Sequence, residues 1–126
     1  MENKSAPEDF NEKRKDPRID ARIEVQFATQ GEFATCYSKN ISRGGIYLET
    51  KVLPDPNAKV ELVLQLNRIF PDFEDEVVRL QGRVVRLMTV VEDKTKVHKV
   101  GIQFVNIQPQ TQILLDRLYS RLQAVK

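Results

Sequence analysis

Arg14 and Arg18 stand four positions apart with Pro17 between them, and a second polar segment, NISRGG, occupies 40–45. Pro17 opposes a helix interior here and biases Asp16 toward an extended backbone. An extended four-residue step spans ~13 Å, so two guanidinium groups can grip opposite ends of a nucleotide-sized ligand or fold around it. Arginine suits that work because its planar fork pairs bidentately with phosphate or with the O6/N7 edge of guanine, and it stacks on bases. In the second segment Asn40 offers a donor and an acceptor and Ser42 a hydroxyl, and a period of two sets both on one side of a strand end. Gly44 and Gly45 then allow a positive-φ turn and the close approach of a ligand to backbone N–H groups. Each segment alone is ordinary surface or turn chemistry, and only their joint occurrence is informative.

The elements around these residues read as a small β-barrel. Ile19, Ala21, Ile23, Val25 and Phe27 alternate with Asp20, Arg22, Glu24 and Gln26, which predicts a half-buried strand. TQGE at 29–32 is a turn signal. FATCYSKNI predicts a second strand and IYLET, after NISRGG, a third. Two prolines in LPDPN break the chain before a fourth strand near 58–66, where Val60, Leu62, Leu64 and Leu66 alternate with polar neighbours. NRIFPDFED reads as a loop. A long fifth strand is expected over roughly 76–92, with Gly82 as a site for a bend or bulge. EDKTK is a hairpin connection, and KVGIQFV is the sixth strand.

The pattern then changes to helical spacing. Pro109 fits a first helical position, with Ile113, Leu114, Leu118 and Leu122 on one face and Arg117 and Arg121 outside. Six antiparallel strands and one amphipathic C-terminal helix predict a mainly β fold, a six-stranded barrel with the helix over an opening. Because hairpins return the chain, the start of strand one and the end of strand two can lie together, which would unite the two polar segments. Residues 1–12 read as a flexible tail, and 13–126 as one domain.

Composition narrows the function classes. The net charge of +2 is too small for indiscriminate binding to nucleic acid or anionic lipid. Among residues 1–22 the cations Lys4, Lys13, Arg14, Lys15, Arg18 and Arg22 are matched by Glu2, Glu8, Asp9, Glu12, Asp16 and Asp20. Positive charge is therefore local to 13–18, which suits a small anion better than a long polyanion. No apolar run approaches the ~20 residues of a membrane span, and MENKSAPEDF has no signal-peptide core. With Cys36 alone there is no internal disulfide, and the cytoplasm is the expected compartment. No nucleophile–base pair, metal cluster or P-loop is visible, so neither catalysis nor a cofactor is expected. His98 reads as an exposed strand residue, PDFEDE as a solvated loop, and Phe70 and Phe73 as core more than as a partner patch. Arg83 and Arg86 can help hold a ligand, although an outward strand face explains Arg83 equally well. Leu115 and Tyr119 are apolar surplus on the helix, open to a dimer contact, so a monomer or weak homodimer is expected.

R-x-x-x-R at 14–18 followed by N-x-S-x-x-G at 40–45 resembles the double signature of PilZ domains, bacterial receptors for cyclic di-GMP. GRVVR at 82–86 is similar to the family's fifth-strand segment and VGIQF at 100–104 to its last strand, so the likeness covers roughly 13–122. The resemblance implies a ligand on the outer barrel surface rather than in its lumen. It implies that Arg14 and Arg18 embrace phosphates and guanine edges, that Asn40 and Ser42 hydrogen-bond a guanine, and that Gly45 lets the chain turn beneath it. Asn40 stands where Asp is commoner in the family. Lys13, just before the pair, is compatible with the charge of two stacked ligands, and Arg43 and Gly44 complete the expected contacts. The expected function is a cyclic di-GMP receptor and adaptor that relays its signal to an unidentified protein partner of motility, pilus, polysaccharide or transcriptional machinery. The arm at 13–18 is expected to order on binding and so change the surface offered to that partner. Two alternatives are a PilZ-like module that binds only protein, and a barrel that binds RNA or single-stranded DNA through 13–18. Tyr37 and Tyr47 are the only nearby stacking candidates for the latter.

Overall fold

A computed structural model describes residues 18–29, 32–74 and 76–124 of the chain; the tail at 1–12 and the expected contacts of Lys13 and Arg14 lie outside them. The elements run β1 (Ile19–Asp20), β2 (Glu24–Thr29), β3 (Glu32–Ile41), β4 (Gly45–Thr50), β5 (Lys59–Gln65), β6 (Val77–Glu92), β7 (Thr95–Val105) and α1 (Pro109–Ala124). The sheet order is β1-β3-β2-β5-β6-β7-β4, and pairing of β3 with β4 closes it. Strands β2 to β7 form an antiparallel barrel of six, and β1 is the detached beginning of the first. Alternation explains the closure, since each strand turns one apolar row inward. Val25, Leu48, Leu62, Leu64, Val78 and Val100 are wholly buried, each contributing about 1.5–3 kcal/mol of transfer free energy.

Three irregularities set which side chains face out. The first is a break in the predicted strand 19–27. Asp20 pairs with Asn40, and pairing resumes at Glu24 with Tyr37, so the first strand carries one extra residue. Ser38 bridges the break: its hydroxyl accepts the Ile23 N–H at 2.9 Å and donates to the Ala21 carbonyl. The second is a bulge at Lys39, between Ser38 opposite Leu48 and Asn40 opposite Tyr47. The third is a bulge at Val85, between Val84 opposite Ile102 and Arg86 opposite Gly101. The bend expected at Gly82 is absent. Gly82 is regularly paired with Val60 and Phe104, and a Cβ there would fall 2.3 Å from a methyl of Ile102, so glycine serves interior packing.

The helix buries Leu118 and Leu122 as expected and packs Leu114 against the core, but its stripe is rotated away from Ile113. Leu115, Leu118, Tyr119 and Leu122 enter the common core, a single i, i+3, i+4, i+7 stripe, while Ile113 is 60% exposed. Leu115 and Tyr119 are therefore packing residues and offer no surplus for a dimer. Outside that stripe, Arg117 donates from Nη1 to both Glu76 oxygens at 3.2 Å, and Arg121 to Asp72 Oδ2 at 2.7 Å. The acidic loop is thus a docking strip for α1 rather than merely solvated. Phe73 is buried and Phe70 half-buried beneath these arginines. His98 is also corrected: it continues the inward row of Val100, Ile102 and Phe104, is buried opposite Thr50, and its Nδ1 lies 2.8 Å from Thr89 Oγ1.

Candidate functional site

Antiparallel pairing lays the outward residues of five strands in a line. Asp20 of β1 stands opposite Asn40 of β3, Asn40 opposite Tyr47 of β4, Tyr47 opposite Gly101 of β7, and Gly101 opposite Arg86 of β6. At about 4.8 Å per strand step, Asn40 and Arg86 stand roughly 14 Å apart at their backbones. A parallel line one step away runs Gly45, Gln103, Arg83 and Lys59. Both bulges are needed for the first line. With the regular alternation of Cys36 and Ser38, both buried, Asn40 would point into the core; the extra residue Lys39 turns it outward. By the same argument Val85 turns Arg86 outward and returns Leu87 to the inner side.

Gly101 makes the middle of the line bare. A Cβ there would lie 3.2 Å from Arg86 Cβ and 3.7 Å from its Cδ, so the Arg86 stem lies across the β7 backbone in the space a side chain would fill. That brings Arg86 toward Arg18, which precedes β1. Arg18 Nη1 donates to Asn40 Oδ1 at 3.1 Å. Partial burial and the nearby Arg86 charge hold the Arg18 guanidinium below its usual value, with Tyr47 acting in the opposite direction. Among the described residues no carboxylate forms an ion pair with Arg18 or Arg86. Two cations held together over neutral amide, phenol and bare backbone make a place for an anion with a planar part: phosphate for the charges, and flat rings against guanidinium and phenol faces.

The NISRGG segment is placed differently from a simple strand end. Asn40 faces outward in β3, but Ser42 lies past the strand in the turn to β4, so the two do not share a strand face. The Ser42 N–H donates to the Gly45 carbonyl at 2.9 Å, and the Gly44 N–H donates to Ser42 Oγ at 3.2 Å. Neither glycine adopts the left-handed conformation; the positive-φ expectation is replaced by crowding. A Cβ on Gly45 would stand 2.5 Å from the Ile102 carbonyl oxygen, closer than any real Cβ tolerates. Arg43 points away from the line, to α1. The structure therefore gathers Arg18, Asn40, Gly45 and the Ser42 turn at one end of the barrel, adds Arg86, Tyr47 and Gly101, and separates Arg43. A groove of about 780 Å³ adjoins the line, with Arg22, Tyr37, Lys39 and Glu49 in its walls; the Arg22 guanidinium lies 3.8 Å over the Tyr37 ring.

No helix is long and apolar enough to cross a membrane, and no metal-binding cluster of His, Cys, Asp or Glu occurs among the described residues.

The family model of the PilZ domain matches residues 12–121. Comparison with curated proteins finds no match. Among solved structures, the chain is similar to the inhibitor of motility MotI/DgrA of Bacillus subtilis, with a TM-score of 0.71 and 22% identity over 92% of this chain and 54% of that one. It is similar to the PilZ domain with c-di-GMP of YcgR from Escherichia coli, with a TM-score of 0.67 and 13% identity over 90% of this chain and 93% of the other. A third is the MrkH–c-di-GMP complex of K. pneumonia, with a TM-score of 0.66 and 18% identity over 89% and 53%. The chain thus spans about half the length of MotI/DgrA and MrkH and nearly all of the YcgR domain. At these identities the likeness is one of fold.

Proposed function

The chain belongs to the PilZ domain family, and from that premise we propose that it is a receptor for cyclic di-GMP that relays the messenger by contact with a protein partner. The carrying observation is the meeting of Arg18 with Asn40 across the β1–β3 pair, with the Arg86 charge near enough to act on Arg18 and, among the described residues, no carboxylate in an ion pair with either cation. Each anionic phosphate that enters relieves the repulsion between Arg18 and Arg86 while gaining charge-assisted hydrogen bonds. Guanine edges present O6 and N7 to the arginine forks, and the Asn40 amide supplies a complementary donor and acceptor. Gly101 lets the Arg86 stem lie low across β7, so that a base can stack on the Arg86 guanidinium and the Tyr47 ring. Lys13 and Arg14 enter this reading as further cations from the segment that leads into Arg18, and Ser42 with Gly45 as the turn under the ligand. Complexes of YcgR and MrkH with c-di-GMP support the reading through their shared fold. Binding, not chemical conversion, is the whole of the proposed molecular activity.

Isothermal titration calorimetry with cyclic di-GMP, and with GTP and cyclic di-AMP as competitors, tests it. Saturable, guanine-selective binding is the expected outcome, and the molar ratio reports whether one or two ligands are held. No heat and no shift in melting temperature at high ligand concentration would overturn the receptor reading and favour a module that binds only protein.

A further inference from the structure

Arg43 sits at the centre of the turn between Ser42 and Gly45, yet its side chain leaves the ligand face. Its guanidinium carbon lies 4.8 Å over the Tyr119 ring, and its Nε stands 3.5 Å from Asp116 Oδ1. Asp116 also accepts from Gln112 Nε2 at 3.0 Å, within the same helix. Tyr119 is buried with Leu115, Leu118 and Leu122, so the surface on which Arg43 rests belongs to the core. The turn is fastened on the other side as well, since the Phe104 N–H donates to the Gly44 carbonyl at 2.9 Å. One short turn is thus held by β7 through its backbone and by α1 through the Arg43 side chain.

We propose that Arg43 is a positioning residue, a strut that holds the ligand turn against α1 and makes ligand affinity and docking of the helix mutually dependent. The inference rests on the receptor reading above. Its physical basis is linkage: if the docked helix holds the turn in the shape that binds, then ligand must favour the docked helix by the same factor. The arginine fork is suited to the task because it can pair with a carboxylate in its plane while its face lies on a ring. Arg43 and Asp116 are both partly exposed, so the coupling is set at the low end, about five-fold. The element that senses occupancy is then α1, on the far side of the turn from the ligand.

Asp116→Asn is the discriminating variant, because Asp116 does not reach the ligand line. The experiment is calorimetric titration of the full chain with cyclic di-GMP for wild type, Arg43→Ala, Asp116→Asn and the double variant, with hydrogen exchange of residues 113–122 measured with and without ligand. The strut predicts that each single variant weakens binding about five-fold, that the double variant is no weaker than either, and that ligand slows exchange in the wild-type helix but not in Asp116→Asn. Arg43→Lys, which keeps the charge and loses the fork, should recover only part of the loss. A weakened Arg43→Ala beside an unchanged Asp116→Asn would overturn the strut and make Arg43 a direct ligand contact. Unchanged affinity in both would leave Arg43 a purely structural residue and overturn it equally. If wild type binds nothing, the receptor reading has failed and the strut falls with it, an outcome distinct from both.

Discussion

Two faces of this barrel use arginine in opposite ways. Under α1, Arg121 donates to Asp72 and lies 4.4 Å over Phe70, and Arg117 spans the Glu76 carboxylate and lies 4.9 Å over Phe73. Across the β1–β3–β4–β7–β6 line, Arg18 meets a neutral amide and a second arginine. The pKa directions record the contrast. The hydrogen bond from Arg121 holds the Asp72 carboxyl below its usual range and raises Arg121 itself, whereas burial and Arg86 push Arg18 down. A cation with a raised pKa is favoured by the fold, and one with a lowered pKa is a cost to it. Among the described residues, then, the helix face pairs its arginines with carboxylates, and the barrel face keeps in Arg18 and Arg86 the charge that the proposed ligand would use.

Substitutions that exchange these roles test the contrast. The largest effect is expected for Arg18→Ala. Loss of one charge-assisted contact, ~1.5–3 kcal/mol, should weaken cyclic di-GMP binding by roughly 10- to 150-fold with the fold intact, as read by calorimetry and circular dichroism. Next is Gly101→Val, whose Cβ would press on the Arg86 stem. Binding should fall by about ten-fold, equivalent to one hydrogen bond of about 1.4 kcal/mol. Arg86→Gln and Arg117→Ala should dissociate affinity from stability in opposite senses. The first should weaken binding while leaving the urea midpoint unchanged or higher, because it removes repulsion on Arg18. The second should leave binding unchanged and lower stability by about 1 kcal/mol, the sum of a partly exposed ion pair and a cation–π contact.

The last effect, a dependence on pH, belongs to neither face, and at neutral pH it vanishes. Burial pushes the Cys36 thiol up to about 12, so the neutral thiol is the form the fold favours. Its contribution is complete below the unfolded thiol value of about 8.5 and is lost as pH rises toward the folded one. Denaturation midpoints should therefore fall more steeply between pH 8 and 11 for wild type than for Cys36→Ala, and equal slopes would refute this.

The barrel was legible because period-two alternation is a direct image of burial: Val60, Leu62 and Leu64, or Val100, Ile102 and Phe104, name their own inner face. His98 lies in that same row, disguised by its neighbours Lys96 and Lys99; its inward position is satisfied by the hydrogen bond with Thr89. The RxxxR and NxSxxG segments were legible as residue types, and the β1–β3 pairing joins their described parts. The shape of the site was not. Alternation through RVVRL places Arg86 inside if Arg83 is outside, and a bulge costs one unmarked residue, Val85, to reverse it. Lys39 does the same for Asn40. In hindsight a cation at an inward position of an apolar strand is the signal for such a bulge. The helix misled for a related reason: Ile113 and Leu115 are both apolar, and only contact with the barrel decides which of them is buried.

The most direct test sets Arg18→Ala beside Arg121→Ala in matched calorimetric titrations with cyclic di-GMP. The two variants remove the same charge from the same chain, one from the barrel face and one from the helix face. The account predicts at least a ten-fold loss of affinity for the first and wild-type affinity for the second. An equal loss in both would mean that net charge alone attracts the ligand, and would contradict a site built around Arg18 and Asn40.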